Sequence, residues 1–162
     1  ENTLRQTARI VEEINKHNAE MAAKGLPEIP IGTIARDDAG NIVGGPTLSE
    51  AVAAREQASR QKSAVLKEER QIREDALKAL EVYDKDISRI RGELRILVLK
   101  GQASSEAANK LREELARKTT GVPRDYAERK RYFENILLKR LIQTRLEARG
   151  VVPVNQKNPI SP

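Results

Sequence analysis

The sequence predicts a mainly α fold: an elongated helical bundle or coiled coil with one very long helix, and room for one small β-hairpin. Between Thr47 and Gly101 the chain has no proline and a single glycine, Gly92. An unbroken helix of that span would be about 80 Å long, whereas a compact domain of this chain length has a radius of gyration of only about 15 Å. The 162 residues include one Phe, three Tyr and no Trp, and 33% are charged, which indicates a thin core.

Both ends of this long segment carry helix-boundary signals. Thr47-Leu48-Ser49-Glu50 is a capping box, in which Thr47 and Glu50 satisfy each other's free backbone N–H groups. Gly101 is the residue type that best adopts the left-handed conformation after a last helical residue. We therefore expect a long-helix bundle over residues 47–149.

The second half of this helix has strict coiled-coil spacing. Apolar residues recur at alternating steps of four and three at Ala76, Leu80, Tyr83, Ile87, Ile90, Leu94 and Leu97. The run Ile96–Leu99 is apolar on all sides, so more than one neighbour should cover it. These seven seam residues predict packing and oligomerisation, in a homo-oligomer or as a subunit of a larger protein assembly.

The flanking segments are assigned from local signals. Residues 1–24 are predicted to form an N-terminal helix, and residues 25–46 a loop with five glycines and three prolines. Within that loop, 31–36 and 41–43 are expected to pair as a β-hairpin, with Gly40 at a positive φ.

After Gly101, Ser104 or Ser105 is expected to cap a third helix. A fourth helix should carry Pro123 in its first turn, run to about Arg149 and bury the apolar residues Tyr126, Phe133, Ile136, Leu137, Leu141 and Leu146. Residues 150–162, which contain three prolines, are predicted to be an extended C-terminal tail.

Residue types needed for catalysis are scarce. The chain has no cysteine and one histidine, His17, and it lacks a glycine-rich phosphate loop followed by Lys-Ser or Lys-Thr. We therefore predict no enzymatic activity, no cofactor and no metal site. The fully apolar run at Ile96–Leu99 is only four residues long, which argues against a membrane span. A cytoplasmic or virion-associated location is expected.

Positive charge concentrates near the C-terminus. Residues 122–162 hold nine basic and four acidic side chains, an excess of five. Eight of the basic residues are candidate nucleic-acid contacts, expected opposite Phe133, Leu137 and Leu141 on the fourth helix: Arg124, Arg129, Lys130, Arg131, Lys139, Arg140, Arg145 and Arg149. Without interleaved aromatic residues or a recognition-helix pattern, such binding would be non-specific DNA contact. A solvated helix face explains the same charges equally well.

A set of turn residues carries a family resemblance. Arg91-Gly92-Glu93-Leu94 precedes Lys100-Gly101, a short helix follows over 105–118, and Gly121-Val122-Pro123 opens the last helix. This layout, over roughly residues 50–149, resembles the C-terminal half of lambda-type phage small terminases. The resemblance implies a charged coiled coil joined to a helical region that oligomerises and contacts the large terminase subunit. The family's N-terminal winged helix-turn-helix is not recognisable in residues 1–46.

Two functional interpretations remain open at the level of sequence. The first is a non-enzymatic structural or adaptor protein of a macromolecular assembly, in a tailed-phage virion or its DNA-packaging apparatus. The alternative is a coiled-coil docking scaffold or chaperone of a secretion or other cellular complex, without nucleic-acid contact.

Overall fold

The computed structural model describes residues 2–150, so the expected tail over 150–162 lies outside the described residues except for Gly150. Within that range, four helices and two short strands follow one another along the chain: α1 (Asn2–Ala23), β1 (Ala35–Arg36), β2 (Ile42–Gly44), α2 (Leu48–Leu99), α3 (Glu106–Thr119) and α4 (Tyr126–Ala148). The predicted mainly α class, with one very long helix and a small β-hairpin, is confirmed.

Helix α2 is continuous over 52 residues, and its ends have the predicted chemistry. The Thr47 N–H donates to Glu50 Oε1 at 3.0 Å, and the Glu50 N–H donates to Thr47 Oγ1 at 3.1 Å. At the other end Gly101 has a φ of +75°, and the N–H groups of Gly101 and Gln102 donate to carbonyls of the last turn at 3.1 and 2.8 Å. The capping box and the left-handed glycine therefore define this helix as expected.

The β-hairpin is antiparallel and shorter than the sequence pattern indicates. Ala35 pairs with Gly44 and Arg36 with Ile42, and the register shifts between these two pairs. Gly40, in the turn, has the expected positive φ of +87°. Only the last two residues of the first predicted strand are paired, and the register shift between them is the irregularity that a β-bulge produces.

Starts of the last two helices are set by capping side chains. Ser105 caps α3, and its Oγ accepts from the Ala108 N–H at 3.2 Å. For α4 the expected role of Pro123 is wrong, because the helix begins at Tyr126 and Asp125 Oδ2 accepts the Glu128 N–H at 3.1 Å. A carboxylate cap at Asp125 satisfies a free backbone donor of the first turn, so the helix begins after it and Pro123 lies in the preceding turn.

The chain divides into two compact units, one reaching to Glu68 and resuming at Arg140, the other spanning Glu69–Lys139. In the first unit α1 packs against the N-terminal part of α2. The buried cluster comprises two isoleucines of α1 and three alanines of α2: Ile10, Ile14, Ala51, Ala54 and Ala58. Because alanine side chains are small, α1 can approach the backbone of α2 closely in this unit.

Polar side chains of α1 fix the loop that follows it. Asn18 is 8% exposed; its amide nitrogen donates to the Ile29 carbonyl at 2.9 Å, and its oxygen accepts the Ile29 N–H at 2.8 Å. His17 donates from Nε2 to Gln61 Oε1 at 2.6 Å, and Gln61 donates to the Pro27 carbonyl at 2.9 Å. The loop backbone is thus tied to both α1 and α2 by side-chain hydrogen bonds.

Candidate functional site

The seven seam residues divide into a buried group and a half-buried group within the Glu69–Lys139 unit. Ala76, Leu80, Ile87 and Ile90 are buried, with Leu80 and Ile90 at 1% and 0% exposure. The half-buried members are Tyr83, Leu94 and Leu97. Most of the seam is therefore packed within the chain, and its role in oligomerisation stays a prediction.

One side of the seam is covered by α3 through an ionic cluster. Lys118 of α3 contacts Asp86 of α2, and Arg89 of α2 reaches Glu114 of α3 at 3.6 Å. Hydrogen bonds from Lys118 and Arg89 hold the pKa of Asp86 below its usual value, and Asp86 and Glu114 raise the pKa of Lys118. These partly exposed pairs set the register of α3 on α2 and contribute little to stability.

The aromatic residues bring α4 against the other side of the seam. The Tyr83 and Phe133 rings have centroids 5.5 Å apart at an interplanar angle of 57°. Next to them, Arg129 binds both carboxylate oxygens of Asp84, at 3.0 and 3.1 Å. A two-point guanidinium–carboxylate contact fixes orientation as well as distance, so α4 is held in one rotation about its own axis.

Beyond the seam, the C-terminal end of α2 exposes apolar surface. Ile96 is 52% exposed, Val98 47% and Leu99 80%. A shallow apolar groove of about 470 Å³ lies between this end and α3. Its floor and rim are formed by Glu93, Ile96, Leu97, Ala107, Lys110, Leu111 and Glu114. A protruding apolar end and an apolar groove therefore lie side by side on one unit.

The eight basic candidates have different surroundings. Arg129 and Arg145 are 16% and 10% exposed, and they pair with Asp84 and Glu68 at 3.0 Å. Arg145 also donates to the Lys24 carbonyl at 3.0 Å. The other six form no ion pair with any residue in 2–150: Arg124, Lys130, Arg131, Lys139, Arg140 and Arg149. Arg129 and Arg145 therefore anchor α4 to α2 through ion pairs. The other six basic side chains could bind an anionic partner.

Helix geometry distributes these cations around α4. At about 100° per residue, Arg131 and Arg140 point about 180° apart, and Lys130 lies between the directions of Leu137 and Leu141. The expected single basic face is therefore not formed, and only Arg131 and Lys139 lie on the side opposite Leu137. The predicted burial is wrong for Tyr126, which is 55% exposed. No residue of α4 is fully buried, and the other apolar residues expected to be buried are half-buried: Phe133, Ile136, Leu137, Leu141 and Leu146. The reason is that apolar and basic residues both occur all round this helix.

Long-range ion pairs are the contacts that sequence patterns do not indicate. Asp84 and Arg129 are 45 positions apart, and Glu68 and Arg145 are 77 apart. Both acids lie in alternating-charge stretches of α2 that look uniform in the sequence. No signal in a single sequence separates these two arginines from the six cations without an ion pair.

Neither a metal-binding cluster nor a membrane-spanning helix is present among the described residues. Residues 2–150 contain no group of three or more His, Cys, Asp or Glu that could hold a metal ion. No helix in that region combines the length and apolar character that a membrane span requires. Comparison with protein-family models, curated proteins and solved structures finds no significant match to this chain.

Proposed function

We propose that this chain is a non-enzymatic structural or adaptor subunit of a macromolecular assembly, and that it binds other copies of itself through the C-terminal end of α2. The observation that carries the proposal is the exposure of Ile96, Val98 and Leu99 beside an apolar groove. Several exposed apolar side chains beside an apolar groove are typical of a protein-binding site. Burial of these side chains in an interface supplies the free energy of association.

The shape of this end supports a second copy as the occupant. Leu99 protrudes at 80% exposure, and the groove beside it is lined by Leu97 and Leu111. The rim charges are already paired within the chain, Lys110 with Glu106 and Glu114 with Lys118, so the groove offers a mainly apolar contact. In a twofold arrangement the protruding leucine of each copy enters the groove of the other.

The first prediction tests this surface. A double variant with Ile96→Glu and Leu99→Glu should dissociate the assembly, because each carboxylate would lose its hydration in the apolar interface. We expect the dissociation constant, measured by sedimentation, to rise about a hundredfold or more, since about 1.4 kcal/mol of lost binding energy corresponds to tenfold.

A matched control is Val43→Glu, which changes an apolar residue of similar exposure, 64%, in the β-hairpin. This variant should assemble as the parent chain does. Equal dissociation by Val43→Glu, or unchanged assembly in the double variant, would contradict the proposal.

A DNA-contacting role is the second candidate. It is supported by the six basic side chains without an ion pair among residues 2–150, and by the resemblance of residues 50–149 to lambda-type small terminases. Under this proposal the subunit belongs to a tailed-phage virion or its DNA-packaging apparatus. The scattering of cations around α4 favours non-specific phosphate contact, since no single face follows a groove.

The second prediction concerns salt dependence. If duplex DNA is bound, replacing Arg131 and Lys139 by Gln should reduce the slope of log K against log salt by about two, because each phosphate contact contributes about 0.9. Lys62→Gln with Lys67→Gln removes the same charge from exposed positions of α2 and should leave the slope unchanged. Absence of binding by the parent chain at low salt, or equal effects of the two pairs, would exclude this role.

A further inference from the structure

A polar cleft of about 700 Å³ lies within the Glu69–Lys139 unit, between the middle of α2 and the turn that joins α3 to α4. Tyr83, Asp84 and Arg91 of α2 form one wall. Pro123 and Arg124, from the turn, form the opposite wall. Its volume is in the range of ordinary ligand sites, and it is separate from the apolar groove at the end of α2.

The charges in this cleft do not cancel. The Arg129 guanidinium is bound to the Asp84 carboxylate and also donates to the Arg124 carbonyl, so this pair is neutral and fixed. The side chains of Arg91 and Arg124 are exposed and form no ion pair within residues 2–150. The cleft therefore presents two uncompensated guanidinium groups, one on each wall.

The remaining lining is suited to a ligand with both polar and apolar parts. The Tyr83 phenol is protonated at neutral pH and can donate a hydrogen bond, and burial raises its pKa further. Val122 and Pro123 add apolar surface from the turn that joins α3 to α4. Guanidinium groups bind carboxylates through two parallel hydrogen bonds, which gives both strength and orientation.

We infer that this cleft binds an acidic peptide segment of a partner protein, with Arg91 and Arg124 each binding a side-chain carboxylate. The inference rests on the adaptor role proposed above and gives it a second partner, distinct from another copy of the chain. A peptide is favoured over nucleic acid because the cleft is concave and places its two exposed guanidinium groups on facing walls, whereas a duplex presents a convex surface. Tyr83 packs against Phe133, so it offers no open platform for base stacking.

The test uses the full chain and a short fluorescein-labelled peptide of alternating aspartate and serine, followed by fluorescence anisotropy. The parent chain should bind it saturably. The double variant Arg91→Gln with Arg124→Gln should bind about tenfold more weakly or worse, because two charge-assisted contacts are lost. Both arginines are exposed, so circular dichroism should show unchanged helix content in the variant.

Arg95→Gln with Arg117→Gln is the matched control, since it removes the same net charge from exposed positions outside the cleft. It should bind the peptide as the parent chain does. A second control is a peptide of the same length in which asparagine replaces each aspartate. Equal weakening by the variant control, failure of the parent chain to bind, or equal binding of this uncharged peptide would overturn the inference. Competition by an equally charged duplex oligonucleotide at equal concentration would also overturn it, by assigning the cleft to nucleic acid.

This result is separable from self-association. The Ile96→Glu and Leu99→Glu variant should still bind the acidic peptide, since neither residue lines the cleft. Conversely, loss of peptide binding in the Arg91→Gln and Arg124→Gln variant should leave the mass of the assembly unchanged. Peptide binding therefore tests the cleft alone, and the mass of the assembly tests self-association alone.

Discussion

Replacing Leu80 by Ala should lower the free energy of unfolding by about 3 kcal/mol, because it removes a fully buried side chain and leaves a cavity. Leu80 is 1% exposed and lies between Ala76 and Tyr83 on the packed side of α2. Chemical denaturation followed by circular dichroism measures the change. A loss of this size is a large share of the stability of an ordinary domain, so the variant should also unfold at a distinctly lower temperature.

Leu66→Ala is the control for this change. It makes the same substitution on the same helix, at a residue that is 50% exposed. The substitution removes less buried apolar area and leaves no cavity, so the free energy of unfolding should fall by less than about 1 kcal/mol. Similar losses in the two variants would mean that the seam around Leu80 is not the core of its unit.

Gly25→Ala should destabilise the other unit through two separate effects. Gly25 has a φ of +76°, which costs an L-residue about 1 kcal/mol. An added Cβ would also lie 3.1 Å from the Ile142 carbonyl oxygen and 3.2 Å from the Arg145 Cβ, so these atoms of α4 would have to move by a few tenths of an ångström. With an overpacking cost of about 2 kcal/mol, the total loss in unfolding free energy should be about 3 kcal/mol.

Gly101→Ala isolates the backbone effect. Gly101 has nearly the same φ, +75°, and no atom lies within 4 Å of a Cβ built there. The Gly101→Ala variant should therefore lose about 1 kcal/mol of unfolding free energy, measured by the same denaturation experiment. Equal losses at the two positions would show that Gly25 does not approach α4 closely.

Local signals in the sequence account for much of the fold. The capping box at Thr47 and Glu50, the glycine at 101 and the absence of proline between them predict α2 to within one or two residues, because each acts on its own turn of helix. The hairpin turn at Gly40 is predicted for the same reason. Seam spacing also identified Leu80, Ile87 and Ile90 as apolar packing positions, and all three are buried.

Features that depend on contacts distant in sequence were not predictable. The sequence around Arg129 and Arg145 does not distinguish them from Arg131, yet each forms an ion pair with a residue of α2. The cleft at Arg91 and Arg124 exists only because the turn after α3 returns to the middle of α2. The start of α4 was misplaced because two signals, Pro123 and Asp125, compete within three residues, and the carboxylate cap determines the boundary.

Self-association is tested most directly by the molar mass of the parent chain, measured by light scattering across micromolar concentrations. A mass that rises with concentration above the 18.1 kDa of one chain, and stays at 18.1 kDa in the Ile96→Glu and Leu99→Glu variant, is the expected result. A parent chain that remains monodisperse at 18.1 kDa over the whole range would contradict it.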